Sequence, residues 1–177
     1  MVSDEALMLD FQRGSHDAFE QLFERYREPL YGFFRRRLDN SPRAEDLTQE
    51  TFLAVVQAAS RYEPRARVRT YLFGIALNLV SAERRKRAKG DFGSESAREP
   101  GTAPSPDPSI WVREALERLS PVERDILMLR EYEQLSYSEI ADILRLPVNT
   151  VRSRLFRSRT SLRQYLEPVT QTKNAQE

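Results

Sequence analysis

Among its 177 residues the chain has no cysteine and one histidine, His16. Disulfides and thiolate metal sites are excluded, and a lone imidazole cannot assemble a histidine-ligand site. The six glycines form no phosphate-binding loop, there is no cysteine nucleophile, and no pair of carboxylates stands apart from ordinary helix faces. No apolar run approaches the ~18 residues of a membrane span. The acidic start, Met1 to Asp10, lacks the basic opening of a signal peptide. These absences predict a non-enzyme with no catalytic residue, no metal and no cofactor, without membrane insertion, working in the reducing cytoplasm.

What the chain does have is charge, at 31% of residues, distributed along apolar stripes with few consecutive β-branched residues. That pattern favours helices over sheets and predicts an all-α protein. The net charge of +1 selects no partner, but its distribution does. Residues 61–89 carry nine Lys or Arg against two Asp or Glu, a net of +7, and residues 145–177 carry seven against two, a net of +5. Each basic block follows an acidic or neutral helix, so two separate polyanion-facing surfaces are expected.

Residues 90–109 contain Pro100, Pro104, Pro106 and Pro108 among Gly, Ser and acidic residues. With no apolar periodicity, the stretch reads as a flexible linker between a domain at 1–89 and a domain at 110–168, with a disordered tail at 169–177. In the first domain Ser15 can cap a helix whose Phe19, Leu22, Phe23, Tyr26, Leu30 and Phe34 recur at helical spacing. Ser41, followed by Pro42, starts a second helix that carries Leu47, Phe52, Val55 and Val56 inward and shows Asp46, Gln49 and Glu50 outward. An arginine-rich loop follows. Tyr71, Leu72, Ile75, Ala76 and Leu79 then begin a third long helix ending in Arg84, Arg85, Lys86 and Arg87, where positive charge suits a helix C-terminus.

The second domain carries two capping-box signatures, Ser120 with Glu123 and Ser136 with Glu139. A short helix from Ser136 to Leu144, a tight turn at Arg145-Leu146-Pro147 and a long helix from Val148 have helix-turn-helix spacing. At about 100° per residue, Val148, Val151, Leu155, Leu162 and Leu166 of the long helix share one stripe. Asn149, Arg152, Ser153, Phe156 and Arg157 share the opposite one. That second set suits a major groove: arginines reach guanine edges or phosphates, Asn and Ser hydrogen-bond, and Phe touches a thymine methyl.

Arg43-Ala-Glu-Asp-Leu-Thr-Gln-Glu-Thr-Phe52, Tyr71-Leu-Phe-Gly-Ile-Ala-Leu-Asn78, Leu119-Ser-Pro-Val-Glu-Arg-Asp-Ile-Leu127 and Val148-Asn-Thr-Val-Arg-Ser-Arg-Leu-Phe-Arg157 resemble, in order and separation, hallmarks of the extracytoplasmic-function sigma factors. The similarity runs from about Phe11 to Leu166. It implies a sigma region 2-like helical bundle and a region 4-like helix-turn-helix, joined by the linker, that bind RNA polymerase core and direct initiation at promoters.

By that resemblance, Glu45, Asp46, Gln49 and Glu50 dock on the clamp helices of the polymerase's largest subunit. Tyr62, Arg65, Arg67, Arg69, Asn78, Arg84 and Arg85 bind the minus-10 strand, where a basic track serves phosphates and aromatic or polar groups serve unstacked bases. Tyr71 stands where the family usually has Trp, and its ring is a candidate for the core. Asn149, Arg152, Ser153, Phe156 and Arg157 read the minus-35 element, region 4 also touches the β-flap, and the partners include promoter DNA and an anti-sigma factor. The rival reading is a stand-alone helix-turn-helix regulator with a helical sensing or dimerisation domain. It leaves the +7 block and the acidic helix before it without a task.

Overall fold

The computed structural model describes residues 2–38, 40–65, 67–90 and 108–167. Every regular element among them is helical, in agreement with the all-α expectation. They fall into two compact units. Most of the expected linker and tail lies outside the described residues.

The N-terminal unit contains α1 (Asp4–Gln12), α2 (His16–Arg35), α3 (Ser41–Ala58) and α4 (Val68–Ala88), with a 3-10 turn at Ala59–Arg61. Helices α1 and α2 pack together, α2 packs on α3, and α4 packs against all three. The expected cap of α2 is present, with the Ser15 hydroxyl accepting from the Ala18 N–H at 3.3 Å. Helix α3 starts at Ser41, as expected. Asn40 is the cap, accepting from the Arg43 N–H at 2.8 Å, because its carbonyl side chain reaches the orphan donor while Ser41 already lies inside the helix. The Ser41 hydroxyl instead meets the Tyr31 hydroxyl at 2.7 Å.

The core is aromatic and aliphatic. Phe33, Phe34 and Leu30 of α2, Leu47 and Phe52 of α3, and Leu72, Phe73 and Val80 of α4 are buried. Phe33 meets Phe73 at 5.5 Å between ring centres, and Phe23 meets Phe52 at 4.7 Å, distances at which aromatic pairs are attractive. Val56, expected inward, is 45% exposed. Its neighbour Val55 occupies the inward position, and one residue of helix turns the side chain by about 100°. Leu79 is likewise only half-buried, the inward positions there being Ala76, Leu77, Val80 and Glu83. Gly90 closes α4 in the left-handed conformation at φ +71°, donating to the Arg87 carbonyl at 3.1 Å, a position where glycine escapes the Cβ penalty.

One polar cluster crosses this unit. Glu83 of α4 is 3% exposed and accepts from Arg43 of α3 twice, from Nε at 3.0 Å and from Nη2 at 2.9 Å. The same guanidinium donates through Nη1 to Glu50 at 3.0 Å. The bidentate contact with Arg43 is the main reason the Glu83 carboxyl titrates below its ordinary value, with Lys86 and Arg87 acting in the same direction.

The described residues from 108 onward form α5 (Pro108–Glu117), α6 (Pro121–Glu131), α7 (Tyr137–Leu144) and α8 (Val148–Leu166). Both α5 and α6 pack on α8, around Ile126, Leu129, Leu135, Ile140, Val151 and Leu155. The box at α7 is reciprocal: the Glu139 N–H donates to the Ser136 hydroxyl at 3.2 Å and the Ser136 N–H to the Glu139 carboxylate at 2.8 Å. At α6 the Glu123 N–H donates to the Ser120 hydroxyl at 3.4 Å, but Glu123 takes that hydroxyl's proton at 2.7 Å rather than a backbone N–H. The stripe of α8 is narrower than expected. Val151 and Leu155 are buried, whereas Val148 and Leu166 are 39% and 40% exposed, because both lie at helix ends.

The turn between α7 and α8 places Arg145 at φ 54° while the Leu146 N–H reaches back to the Ala141 carbonyl at 3.0 Å. This is a Schellman-type closure made without glycine, and a side chain there is strained.

Arg145→Gly should stabilise the full chain in urea melts by about 0.5–1 kcal/mol; an unchanged or lower midpoint contradicts strain at the turn. Because the Glu83 pKa is lowered on folding, its contribution is complete above its ordinary value of 4.5 and fades as pH falls through the lower folded value. Acid unfolding followed by circular dichroism should therefore begin at higher pH in the wild type than in Glu83→Gln, once each is scaled to its own neutral-pH stability. Arg43→Ala should cost about 3 kcal/mol at neutral pH, since it leaves a buried carboxylate unpaired.

Candidate nucleic-acid and protein interfaces

On α8 the five expected groove-reading residues, Asn149, Arg152, Ser153, Phe156 and Arg157, are all exposed. Their opposite face, Val151, Leu155 and Ser158, is buried. Ser158 ties the helix down, its hydroxyl donating to the Arg154 carbonyl at 2.7 Å and lying 3.3 Å from the Glu123 carbonyl of α6. Arg159 adds an ion pair from its Nε to Glu131 at 2.9 Å. The helix is anchored from behind while its outward face stays open. Phe156 is 73% exposed, which wastes burial of a large ring unless something covers it. Arg152 lies over the Tyr137 ring at 6.0 Å and Arg130 over the same ring at 5.2 Å. Tyr137 thus braces one of the outward-facing arginines, a role the sequence did not suggest because tyrosine at a helix start has no distinctive spacing.

The second basic block forms the segment from Arg61 through α4. Arg65, Arg67, Asn78 and Arg85 are exposed, while Arg69 and Arg84 are half-buried. Arg65 pairs with Glu63 at 2.6 Å, and Arg69 lies over Phe73 at 5.8 Å. Tyr62 departs from the expectation that it meets DNA. It is 7% exposed, its ring lies 5.4 Å from that of Tyr71, and burial pushes its hydroxyl pKa up. Packing between two tyrosines outweighs exposure of either ring. Tyr71 is half-buried in the same pair, in keeping with a core role.

On α3, Glu45, Asp46 and Gln49 are exposed. Glu50 is half-buried and held by Arg43, with Asp46 3.8 Å from the same guanidinium. The exposed row continues into Leu53 and Val56, 56% and 45% exposed. Positions 46, 49, 53 and 56 share one helical face, so the acidic and amide patch runs into an apolar one. The apolar half is hidden in the sequence because Val56, beside the buried Val55, reads as a core position.

Among the described residues no group of His, Cys, Asp or Glu is placed to hold a metal ion, and no helix is long and apolar enough to cross a membrane.

Two family models match in this order along the chain: Sigma-70 region 2 over residues 22–90 and Sigma-70 region 4 over residues 109–162. The RNA polymerase sigma-H factor of Pseudomonas aeruginosa is 30% identical, over 94% of this chain and 95% of its own length. The sigma factor CarQ of Myxococcus xanthus is 35% identical, over 88% and 93%. The extracytoplasmic-function sigma factor SigW of Bacillus subtilis is 28% identical, over 89% and 94%. The chain belongs to the extracytoplasmic-function sigma factors.

As a sigma factor of this class it directs promoter-specific transcription initiation, and a stand-alone regulator is not favoured. The region 2 match runs from within α2 through α4, and the region 4 match from α5 into α8. Solved structures repeat the architecture. CnrH, in complex with the cytosolic domain of CnrY, matches with a TM-score of 0.73 at 25% identity, over 92% of this sigma factor and 96% of that chain. The sigma factor RpoE of Bartonella quintana, in complex with the anti-sigma factor NepR, matches with a TM-score of 0.68 at 27% identity, over 84% and 96%.

With 73% of Phe156 exposed, Phe156→Ala in this sigma factor should leave thermal stability within about 0.5 kcal/mol of wild type. It should weaken minus-35 duplex binding measured by anisotropy. A large loss of stability with unchanged binding assigns the ring to packing.

Proposed function

We propose that the three exposed faces divide the work of a sigma factor. Asp46, Gln49 and Glu45, with Leu53 and Val56 beyond them, dock on the clamp helices of the polymerase's largest subunit. Carboxylates and an amide supply charge complementarity, and the apolar pair supplies the buried centre that association needs. Glu50 contributes from its half-buried place beside Arg43. Arg65, Arg67, Arg69, Asn78, Arg84 and Arg85 hold the displaced minus-10 strand through phosphate contacts and an amide able to read a base edge. Tyr62 serves this surface from beneath, as packing for Tyr71. Asn149, Arg152, Ser153, Phe156 and Arg157 read the minus-35 element in the major groove.

The single observation that carries the reading is the face of α8: arginines and an exposed phenylalanine on a helix-turn-helix whose opposite side is buried. Region 4 also meets the β-flap, an anti-sigma factor binds the chain, as NepR binds the solved relative RpoE, and the site of action is the cytoplasm, where polymerase and promoter are. The reaction chemistry belongs to the polymerase, so the chain itself needs no catalytic group.

Purified protein should comigrate with core polymerase on size exclusion and support run-off transcription from a cognate promoter. Arg152→Ala with Arg157→Ala should reduce run-off at least tenfold, each guanine contact being worth about 1–3 kcal/mol, while comigration stays intact. Asp46→Arg with Leu53→Glu should abolish comigration and leave binding of the isolated minus-35 duplex unchanged. Loss of core binding in the first pair, or its retention in the second, overturns the division of faces.

A further inference from the structure

The loop that precedes α4 presents Arg61, Glu63, Pro64, Arg65 and Arg67 outward, yet its backbone is tied down by an element far away in sequence. Gln12, the last residue of α1, donates through its side-chain amide to the Ala59 carbonyl at 2.5 Å and to the Tyr62 carbonyl at 2.8 Å. At the far end of the loop, the Val68 N–H, the first of α4, donates to the Glu5 carboxylate of α1 at 3.2 Å. Arg67, the residue at the cap position of α4, makes no side-chain cap hydrogen bond. A carboxylate from α1 therefore does what a local Ser or Asp does at other helices, satisfying an orphan donor where negative charge is favoured.

Helix α1 is itself firmly seated. Leu7 and Met8 are buried, Asp4 pairs with Arg25 at 2.6 Å, and the Tyr26 hydroxyl donates to the same carboxylate. Both ends of the loop are thus referred to one rigid helix that lies before the start of the matched sigma region 2 at residue 22. A loop held only at its outer turns by its own side chains keeps conformational freedom that strand capture must remove, and fixing it beforehand lowers that cost.

We propose that Gln12 and Glu5 are positioning residues for minus-10 recognition: α1 is a strut that holds the backbone at Ala59, Tyr62 and Val68, so that the outward arginines meet the strand already arranged. The inference rests on the reading that this loop and α4 bind the minus-10 strand.

The test uses the full chain assembled with core polymerase, and a fluorescent single-stranded oligonucleotide carrying the minus-10 element as probe. Gln12→Glu keeps the size of the side chain but turns an oxygen toward two carbonyls. Glu5→Leu removes the acceptor, and Glu5→Gln retains one. Gln12→Glu and Glu5→Leu should each weaken oligonucleotide affinity by roughly fivefold to tenfold, the scale of losing hydrogen bonds that order a binding loop. Glu5→Gln should remain within about twofold of wild type, since a neutral acceptor still satisfies the N–H. Core affinity and minus-35 duplex affinity should not move in any of them.

Equal loss of core affinity and oligonucleotide affinity in Gln12→Glu, or unchanged oligonucleotide affinity in both Gln12→Glu and Glu5→Leu, overturns the inference. Arg65→Ala with Arg67→Ala separates the two layers. If that pair binds the oligonucleotide as tightly as wild type, the minus-10 reading of the loop itself fails. If the pair is impaired while the α1 variants are not, only the strut fails.

Discussion

A guanidinium shared between carboxylates holds the N-terminal unit in register. Arg43 leaves α3, grips the buried Glu83 of α4 through two nitrogens and turns its third toward Glu50. Apolar packing alone permits neighbouring helices to slide or rotate at small cost, because one methyl contact replaces another. A bidentate ion pair does not, since breaking it strands a charge in a buried place. Hydrophobic isosteres can match such a pair in stability, and its particular contribution is to define one arrangement of α3 against α4. Those are the helices that carry the acidic row proposed to dock on polymerase and the basic surface proposed for the minus-10 strand.

The two modules solve a common problem in different ways. Each must bury enough side chains to fold while leaving one strongly polar or basic face open. The N-terminal unit does it with an aromatic core, in which Phe33, Phe34, Phe52 and Phe73 supply burial from few positions, freeing the outer faces for charge. The smaller C-terminal unit uses aliphatic side chains and defined helix ends, with the reciprocal box at Ser136 and Glu139 and the back-bonded turn at Leu146. In both, a polar side chain reaching a backbone group at a helix end does the orienting: Asn40 for α3, Glu5 for α4, Ser158 against α6.

Local patterning made much of this visible beforehand. The helical period of α2 and α8, the caps at Ser15 and Ser136, the tight turn before α8 and the open face from Asn149 to Arg157 all depend on residues within a few positions of one another. Where neighbours in sequence disagreed with neighbours in space, the expectation moved. Val56 turned outward because Val55 took the inward place, and Tyr62 turned inward onto Tyr71. Helix α1 has no such local signal, because its buried contribution is the adjacent pair Leu7 and Met8, which shows no period.

The amino-acid order by itself determined that the chain is helical, where its basic faces lie and which family it resembles, because periodicity, capping and charge are short-range properties of the chain. Only the tertiary structure decided that Arg43 meets Glu83 across forty positions, and that Gln12 and Glu5 reach the loop before α4 across 47 to 63. Contacts over such separations follow from how whole helices pack. No spacing within a single helix encodes them.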